Sequence, residues 1–477
     1  MSFFKSGKTM RRVLIAAVLV LVAVLYVVSI SSLASGSKTN AGKSDTQPDT
    51  QAVVAAQGTA SESSSAKPDA SIKDDGKKAD APAKTEPAKA DSKTDAGKDA
   101  GKGGDDQELT QKASVTATPN LTKPAKAAPY EPYHFDNLVE YNGVVEHIFF
   151  HPVIAYPELA FDGDAKEAGI DDWMVTVSEY NKILQNLYDK DYILVDMNDV
   201  WSEYTNDAGQ TRMQRNTLMI PEGKKPVIFS YDDVNYYEYM LQNGFTYKLI
   251  IGDDGDIWSW GLDPQGNEVV SQDLDAITIL DKFVKEHPDF SLNGAKGCLC
   301  LTGYEGILGY RTNTDVNNST AAFEENRQAE REAVKPVIER LKETGWYFGS
   351  HTWGHINLSK HSLESVKNDT EKWFDEVGSL IGETQLLFYP HGARPDGDDV
   401  AKTGPIFQYL QSKGFRVFAS VGIESYSKVK SDISAVICDR LHPDGTTLRY
   451  SRQRYLKFYD AKDIYDYSVR PNFGNSW

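Results

Sequence analysis

The chain has 477 residues, three cysteines, 40% hydrophobic residues and a formal net charge of −18. The cysteine count excludes a small scaffold held together by disulfides, and the acidic balance argues against a general nucleic-acid binder. The composition changes along the chain, so its segments predict different structures.

The first segment predicts a membrane anchor. Residues 1–12 carry four basic and no acidic side chains, and residues 13–30 carry no charge. A helix of that length spans roughly 27 Å, and with the small residues that follow we expect a transmembrane signal-anchor at 13–35. The basic flank predicts a cytoplasmic tail at 1–12 and places the rest outside, at the cell membrane. A cleaved signal peptide is the alternative, because residues 32–34 read SLA, and it predicts a secreted protein.

The next segment, residues 36–129, predicts a disordered low-complexity linker. It contains no Phe, Trp or Tyr, and its fourteen lysines balance fourteen acidic residues. A segment with so few apolar groups cannot offset the entropy that is lost on ordering. A flexible coil of this length reaches roughly 50–60 Å, which suits a domain tethered within a cell wall.

Residues 130–477 predict one aromatic-rich folded domain with a net charge of −22. Strand-like runs alternate with helical patterns, so we expect an α/β fold of parallel strands wrapped by helices. Because polar residues gather at the strand ends, an irregular barrel is favoured over an open sheet. The predicted strands are 147–151, 192–195, 226–231, 346–350, 386–390, 416–420 and 435–438. The predicted helices are 178–188, 323–344 and 363–381, the last with Ser362 as its N-cap.

Residues 245–271 interrupt the alternation of strands and helices. This stretch contains Asp-Gly turns between alternating aromatic and polar residues, a pattern typical of short antiparallel strands. We therefore expect an inserted β-meander.

Two pairs of residues at strand ends carry candidate chemistry. Asp232 and Asp233 directly follow the strand PVIFSY; because adjacent strand residues point to opposite sides, one can bind a metal while the other handles a proton. His351 and His355 have the spacing of metal ligands. Two histidines and one carboxylate leave positions for water and substrate on a Zn²⁺-type ion. Each pair also has a structural interpretation, as a turn, a helix cap or a solvent-facing pair.

Together these motifs resemble those of the polysaccharide deacetylase family, also called the NodB-homology domain or carbohydrate esterase family 4. SYDD at 230–233 resembles its Thr-Phe-Asp-Asp motif, and SHTWGH at 350–355 its His-Ser/Thr-x-x-His motif. FYPHG at 388–392 is similar to the Tyr-Pro-x-Gly version of its third motif. The resemblance covers roughly 145–470. It implies a distorted (β/α) barrel with its site at the carboxyl ends of the strands, within a catalytic domain at 130–477.

The resemblance also implies roles for individual residues. Asp232 is expected to be the general base. The expected metal ligands are Asp233, His351 and His355. The metal is expected to be Zn²⁺, with Co²⁺ or Ni²⁺ as alternatives. Tyr389 and Pro390 are expected to bind substrate, with a backbone N–H near Tyr389 stabilising the oxyanion.

The resemblance leaves two candidates for the general acid. His151, in FFHP, is similar to the Tyr-His start of a branch that includes exopolysaccharide deacetylases. His442, in RLHP, half resembles the Leu-x-His motif of other members. The remaining nearby histidines are expected to be structural or surface residues: His147, His361 and His391.

The chain also departs from the family pattern. The arginine that many members place in the third motif, where it orients the catalytic aspartate, is absent, and Arg394 or Arg440 is expected to replace it. The fourth, tryptophan-containing motif is not visible. Cys298 and Cys300 are expected to lie in the core, because no second pair accompanies them as in a metal clip.

The expected function is metal-dependent removal of N-acetyl groups from an extracellular or cell-wall polysaccharide, of the peptidoglycan or poly-N-acetylglucosamine type. An O-acetyl esterase using the same site is a close variant. A non-catalytic carbohydrate-binding or wall-associated protein, or a signalling or division protein, is the alternative from another class. The complete set of motif residues favours the enzyme. We expect membrane attachment and no nucleic-acid partner, and the sequence indicates no protein partner.

The resemblance gives the meander at 245–271 a possible use. It could form a lip over a substrate groove, with Trp258 or Trp260 stacking on sugar rings. A packing element without a role in binding is the alternative interpretation.

Overall fold

The structure is a computed structural model and describes residues 128–396 and 404–471. The predicted tail at 1–12, the anchor at 13–35 and nearly all of the linker at 36–129 lie outside the described residues, so they stay predictions. Within the described ranges, no helix combines the length and apolarity that a membrane crossing needs.

A mostly parallel sheet, rolled into a nearly closed barrel, organises the domain. Its strands and those of the smaller sheets are β1 Leu138–Tyr141, β2 Glu146–Phe150, β3 Tyr192–Leu194, β4 Trp201–Thr205, β5 Thr211–Arg215, β6 Leu218–Pro221, β7 Lys225–Asp232, β8 Thr246–Ile251, β9 Ile257–Leu262, β10 Glu268–Ser271, β11 Cys298–Leu301, β12 Tyr347–Ser350, β13 Leu386–Phe388, β14 Val417–Val421, β15 Tyr426–Lys430 and β16 Ala435–Arg440.

The helices surround this sheet. They are α1 Pro157–Ala160, α2 Glu167–Trp173, α3 Val177–Asp189, α4 Met197–Val200, α5 Glu238–Gln242, α6 Ala276–Glu286, α7 Ala321–Glu343, α8 Leu363–Trp373, α9 Ser379–Ile381, α10 Pro405–Ser412, α11 Gly445–Tyr450, α12 Arg452–Tyr455 and α13 Ala461–Ile464. Short 3₁₀ turns cover Pro288–Phe290, Leu292–Gly294 and Pro390–Gly392, and a π turn covers Phe374–Gly378.

The parallel strands follow one another around the barrel in the order β2-β7-β11-β12-β13-β14-β16. Two hydrogen bonds at Leu441, which follows β16, join this end of the sheet to β2. The Phe149 N–H donates to the Leu441 carbonyl at 2.9 Å, and the Leu441 N–H donates to the His147 carbonyl at 2.9 Å. The predicted barrel is therefore confirmed. Because the strands are parallel, their carboxyl ends meet at one rim.

The core explains why the predicted strands and helices form. Every residue of β7 after Lys225 is buried, since the barrel interior covers one face of the strand and helices cover the other. Helix α3 begins with a reciprocal capping box between Thr176 and Glu179. Ser362 caps α8 as predicted, by accepting from Ser365 N–H. Cys298 and Cys300 are fully buried, which confirms their place in the core.

The predicted helix at 363–381 is confirmed, with one change of hydrogen-bond pattern inside it. A π turn at Phe374–Gly378 separates α8 from α9. Two contacts flank the change of pitch: the Trp373 indole N–H donates to the Leu301 carbonyl at 2.9 Å, and Glu376 accepts from the Trp353 indole at 2.8 Å. Such one-turn irregularities often accompany functional sites, and Trp353 lies between the two motif histidines.

The meander is confirmed as the antiparallel sheet β8-β9-β10, and of its two tryptophans Trp260 is excluded as a stacking platform. Trp260 is 2% exposed, so it has no open face for a sugar. Trp258 donates its indole N–H to Asp254 in the β8–β9 turn. Asp256 in the same turn pairs with Arg340 near the end of α7, so the turn is engaged in packing.

Candidate active site

Each predicted site residue lies at or just after the carboxyl end of a parallel strand. Asp232 ends β7 and Asp233 follows it, His351 follows β12, and His442 lies two residues after β16. His151 directly follows β2. The rim of the barrel therefore collects side chains that are far apart in the sequence.

The two aspartates reach this rim together, although strand alternation predicts opposite directions. Asp233 has a φ of 59°, so the strand geometry ends at Asp232 and both carboxylates face the histidines. Asp232 Oδ2 lies 3.7 Å from His351 Nε2, and Asp233 Oδ2 lies 3.8 Å from His355 Nε2. His355 is also left-handed, with a φ of 50°. Such strained backbone often marks functional positions.

Asp233, His351 and His355 form a cluster that can hold a metal, with one ligand atom from each lying within 4.8 Å of the others. Neighbouring groups orient these ligands. His351 Nδ1 bonds the Phe388 carbonyl at 2.9 Å, which leaves Nε2 for a metal. Tyr237 donates its hydroxyl to Asp233 Oδ1 at 2.7 Å. The donor set suits Zn²⁺ or a similar divalent ion.

Electrostatics keep these groups in the states that bind a metal. Burial lowers the pKa of His351 and outweighs the raising effect of Asp232 and Asp233, so the ring is neutral near pH 7. Burial by itself raises the pKa of Asp233, but His355 and His351 outweigh it and lower the pKa below its ordinary value.

Arg440 holds Asp232. Its Nη1 donates to Asp232 Oδ1 at 2.7 Å and its Nη2 to Oδ2 at 2.9 Å. The guanidinium is fully buried and lies over the rings of Phe149 and Phe388, 4.0 and 4.8 Å from their centroids. Burial alone raises the pKa of Asp232, but Arg440 and then His351 outweigh it and hold the pKa far below its usual range. Of the two predicted arginines, Arg394 instead pairs with Asp439.

The two candidate acids contact each other. His151 Nδ1 lies 3.0 Å from His442 Nε2 and 3.2 Å from the Trp173 carbonyl. His442 Nδ1 lies 2.9 Å from Asp444 Oδ2. Because the carboxylate and the carbonyl only accept, the consistent tautomers place a hydrogen on both Nδ1 atoms. His151 Nε2 then faces the centre, 3.8 Å from Asp233 Oδ2.

The surroundings of His151 disfavour its cationic form in the metal-free site. Burial, and then His442, lower the pKa of His151 to about 4. Asp233 and Asp232 act in the opposite direction. The ring is therefore neutral near pH 7, with a free lone pair on Nε2.

The third motif lies beside the metal cluster, and substrate binding by Tyr389 and Pro390 stays a prediction. The Tyr389 N–H donates to the Ala419 carbonyl at 2.8 Å, and proline has no N–H. His391, which was expected to be structural or superficial, has a φ of 59°. Its ring centroid is 4.5 Å from that of His355. Among the residues that the structure describes, no acceptor contacts the His391 N–H.

His147 also lies in this network rather than at a surface. It is 3% exposed, and its Nε2 lies 2.9 Å from Ser230 Oγ. Arg440 Nη1 donates to that same hydroxyl at 3.1 Å. The same hydroxyl thus bonds both Arg440 and His147, whose Nδ1 has no partner within the described part of the chain.

The sequence analysis identified the metal ligands and the aspartate pair, and the structure brings them together with both histidine candidates. It named Arg440 without distinguishing it from Arg394. It missed Tyr237, Asp444 and the position of His391. Tyr237 and Asp444 lie four and two residues beyond motif residues, so the spacing could have suggested them. The position of His391 depends on the left-handed turn and had no sequence signal.

Comparison with known proteins gives the site a family. Residues 310–404 match the family model of the polysaccharide deacetylases. The matched stretch contains the second and third motifs, and Asp232 and Asp233 lie before it. No curated protein matches the chain.

Two solved structures are similar at low identity. The Streptococcus pyogenes deacetylase PplD, in complex with acetate, is 13% identical with a TM-score of 0.36, and the match covers 65% of this chain and 95% of that one. The polysaccharide deacetylase BC0361 from Bacillus cereus is 11% identical with a TM-score of 0.34, and the match covers 68% and 69%. The chain therefore contains a region, residues 310–404, that matches the polysaccharide deacetylases, a class of hydrolases, and this match supports a NodB-type deacetylase domain.

Proposed function

We propose that the protein removes N-acetyl groups from an extracellular or cell-wall polysaccharide in a metal-dependent reaction. The observation that carries this proposal is the position of an arginine-held carboxylate, Asp232, beside the cluster of Asp233, His351 and His355. A divalent ion held there supplies Lewis acidity toward the acetyl carbonyl and makes a water more acidic.

Asp232 is the proposed general base. Its pKa is held far below the usual range by Arg440, so it is ionised at every working pH. The two guanidinium bonds fix the orientation of the carboxylate. Asp232 Oδ2 lies 3.7 Å from His351 Nε2, so it can take a proton from a water beside the metal ligands.

His151 is the proposed general acid, and His442 supports it. His151 Nε2 faces the centre, whereas both ring nitrogens of His442 are engaged, by His151 and by Asp444. In the reaction the free Nε2 of His151 first takes up a proton, which replaces the one that Asp232 removes from the attacking water, and then gives it to the departing amine. The hydrogen bond from its Nδ1 holds the ring in place while that proton moves.

The His391 N–H is the proposed oxyanion donor. The Tyr389 N–H is occupied by the Ala419 carbonyl, and the next N–H along the chain belongs to His391. His391 has a left-handed backbone conformation, and its ring lies beside that of His355. A fixed backbone donor aimed at the developing oxyanion lowers the barrier to acyl transfer.

The sequence supports an extracytoplasmic substrate. The predicted anchor at 13–35 and linker at 36–129 tether the domain outside the cell membrane, within reach of a cell wall or a secreted polysaccharide. An acidic domain disfavours anionic polymers and is compatible with neutral N-acetylated sugars. A non-catalytic role is disfavoured because the base, the ligands and the candidate acid are all present.

The test is acetate release from peptidoglycan, poly-N-acetylglucosamine and chitin oligomers, with and without added Zn²⁺. We expect release that Zn²⁺ stimulates. Asp232→Asn is expected to abolish turnover and keep the metal, whereas His355→Ala is expected to lose both. Acetate release from O-acetylated glycans alone would favour the esterase variant. No release from any substrate, together with no bound metal, would falsify the proposal.

A further inference from the structure

A tryptophan stands at the rim of the site and has no role in the chemistry above. The Trp173 carbonyl lies 3.2 Å from His151 Nδ1, so this residue directly adjoins the proposed acid. Its side chain is 54% exposed. A single exposed aromatic residue is common on protein surfaces and by itself needs no explanation.

The backbone around Trp173 is fixed to an unusual degree. Arg470 donates to the Asp171 carbonyl at 2.8 Å and to the Met174 carbonyl at 2.7 Å. His151 bonds the carbonyl between them, that of Trp173. Three of the four carbonyls at 171–174 are therefore held by side chains from other parts of the chain.

Buried charges reinforce this end of α2. Asp171 is 1% exposed and pairs with Arg449 at 2.6 Å and with Arg470 at 2.9 Å. Arg470 also pairs with Glu179, at 2.6 Å. Buried ion pairs are sensitive to geometry, so this network holds the end of α2 in one position. The exposed ring is thus presented from a rigid element.

We propose that Trp173 is a binding platform for a pyranose ring of the polysaccharide, next to the sugar whose acetyl group reacts. The inference builds on the proposed function and adds a specificity residue to it. An indole face matches the C–H face of a hexosamine ring and is rigid before binding, so little entropy is lost on contact. Because Trp173 adjoins the proposed acid, the stacked sugar lies on the leaving-amine side of the reacting residue.

The test uses the full chain in the inactive Asp232→Asn background, which separates binding from turnover. We expect Trp173→Ala to weaken the Kd for N-acetylglucosamine pentamer about three- to ten-fold by calorimetry. Trp173→Phe keeps an aromatic face and is expected to stay within about two-fold of the Trp173 protein. In the active enzyme, Trp173→Ala is expected to raise KM for the same oligomer more than it changes kcat.

The matched control is Tyr204→Ala. Tyr204 is 40% exposed and lies on β4, whose Glu203 pairs with Arg416 just before the amino end of β14, so it stands opposite the catalytic rim. We expect its removal to leave Kd and KM unchanged. Equal Kd values with and without the Trp173 ring, or no binding at all, overturn the platform. Absence of wild-type acetate release instead counts against the proposed function, whatever the Kd values show.

Discussion

The position of Asp232 depends on residues that do not touch the substrate. Arg440 bonds both carboxylate oxygens, and the Ser230 hydroxyl accepts from Arg440 and is hydrogen-bonded to His147. Each residue in this series of hydrogen bonds orients the next, so the geometry of the Asp232 carboxylate depends on contacts that extend as far as His147. The network is also buried, which makes each bond sensitive to substitution.

Arg440→Lys tests the orientation of the base. A lysine keeps the charge but cannot bond both oxygens in one plane, so the carboxylate is free to rotate. Because small misplacements of a catalytic group are costly, we expect kcat to fall about 100-fold. Metal content, measured by mass spectrometry, is expected to stay at the wild-type level. Arg394→Lys, which alters the pair with Asp439, is the control and is expected to keep nearly full activity. Wild-type kcat in Arg440→Lys would contradict this role.

His147 predicts a pH effect on stability. Burial and then Arg440 lower its pKa well below the ordinary value. Below about pH 6.5 the unfolded chain therefore binds a proton that the folded chain excludes, so stability falls as the pH falls. We expect His147→Gln, which can still accept from Ser230, to remove part of this loss. Between pH 7 and pH 5 its free energy of unfolding should decrease by about 1–2 kcal/mol less than that of the wild type.

This difference is measured by urea unfolding of the metal-free proteins. His361→Gln is the control, because His361 is exposed and bonds only Ser365 Oγ among the described contacts. Its pH dependence is expected to follow that of the wild type. If the curves of His147→Gln and the wild type are parallel, His147 does not titrate on unfolding and the explanation is wrong.

The sequence could predict the site residues that short motifs contain, and it could not predict those that the topology brings in. The Asp-Asp pair and the two histidines are readable because their spacing alone implies shared chemistry. Arg440 reaches Asp232 because β16 closes the barrel beside β2, a contact 208 positions apart in the chain. The left-handed φ of Asp233, which turns both acids to one side, has no signal in the residue itself.

At the scale of elements, the predicted strands and helices were confirmed except where side chains impose local irregularity. Apolar runs such as PVIFSY and capped helices such as α3 and α8 predict their own structure. The π turn after Trp373 adjoins contacts with Leu301 on β11 and with Trp353 in the loop after β12, and the periodicity of the helix carries no signal for this change of hydrogen-bond pattern. The last described segment also makes long-range contacts, because Arg470 pairs with Asp171 on α2 and with Glu179 on α3.

Arg470→Met tests this attachment. Arg470 is 5% exposed and its partners Asp171 and Glu179 are buried, so the substitution leaves Glu179 without its arginine and Asp171 with Arg449 alone of its two. Breaking such a pair costs about 3–5 kcal/mol, and we expect a loss of that size in the free energy of unfolding by urea titration. Arg452→Met is the control, because Arg452 and Asp460 form a partly exposed pair; its removal should cost far less than that of Arg470, since solvent screens an exposed pair. Equal losses in the two variants would show that burial does not decide the effect.

At the scale of the whole molecule, the sequence predicts that membrane attachment and chemistry belong to separate segments. The four N-terminal basic residues, the neutral linker and the domain of charge −22 are successive segments. Within the domain, the described site residues gather at one rim of the barrel, and three of them, Asp233, His351 and His355, can be held together by a single ion. We therefore expect the metal to contribute to the stability of the domain as well as to its activity.

Removal of the metal tests this link in the full chain. A ligand present at about 100 times its Kd stabilises the folded state by about 2.7 kcal/mol if it binds one site and ignores the unfolded chain. We therefore expect chelator-treated protein to melt several degrees lower, and added Zn²⁺ to restore the Tm. His355→Ala removes one ligand of the cluster, so its Tm should not respond to Zn²⁺. His361→Ala, which changes a histidine outside the cluster, should respond as the wild type does. A Zn²⁺ response of equal size in His355→Ala would mean that the stabilising ion binds elsewhere, and the assignment of Asp233, His351 and His355 as its ligands would fail.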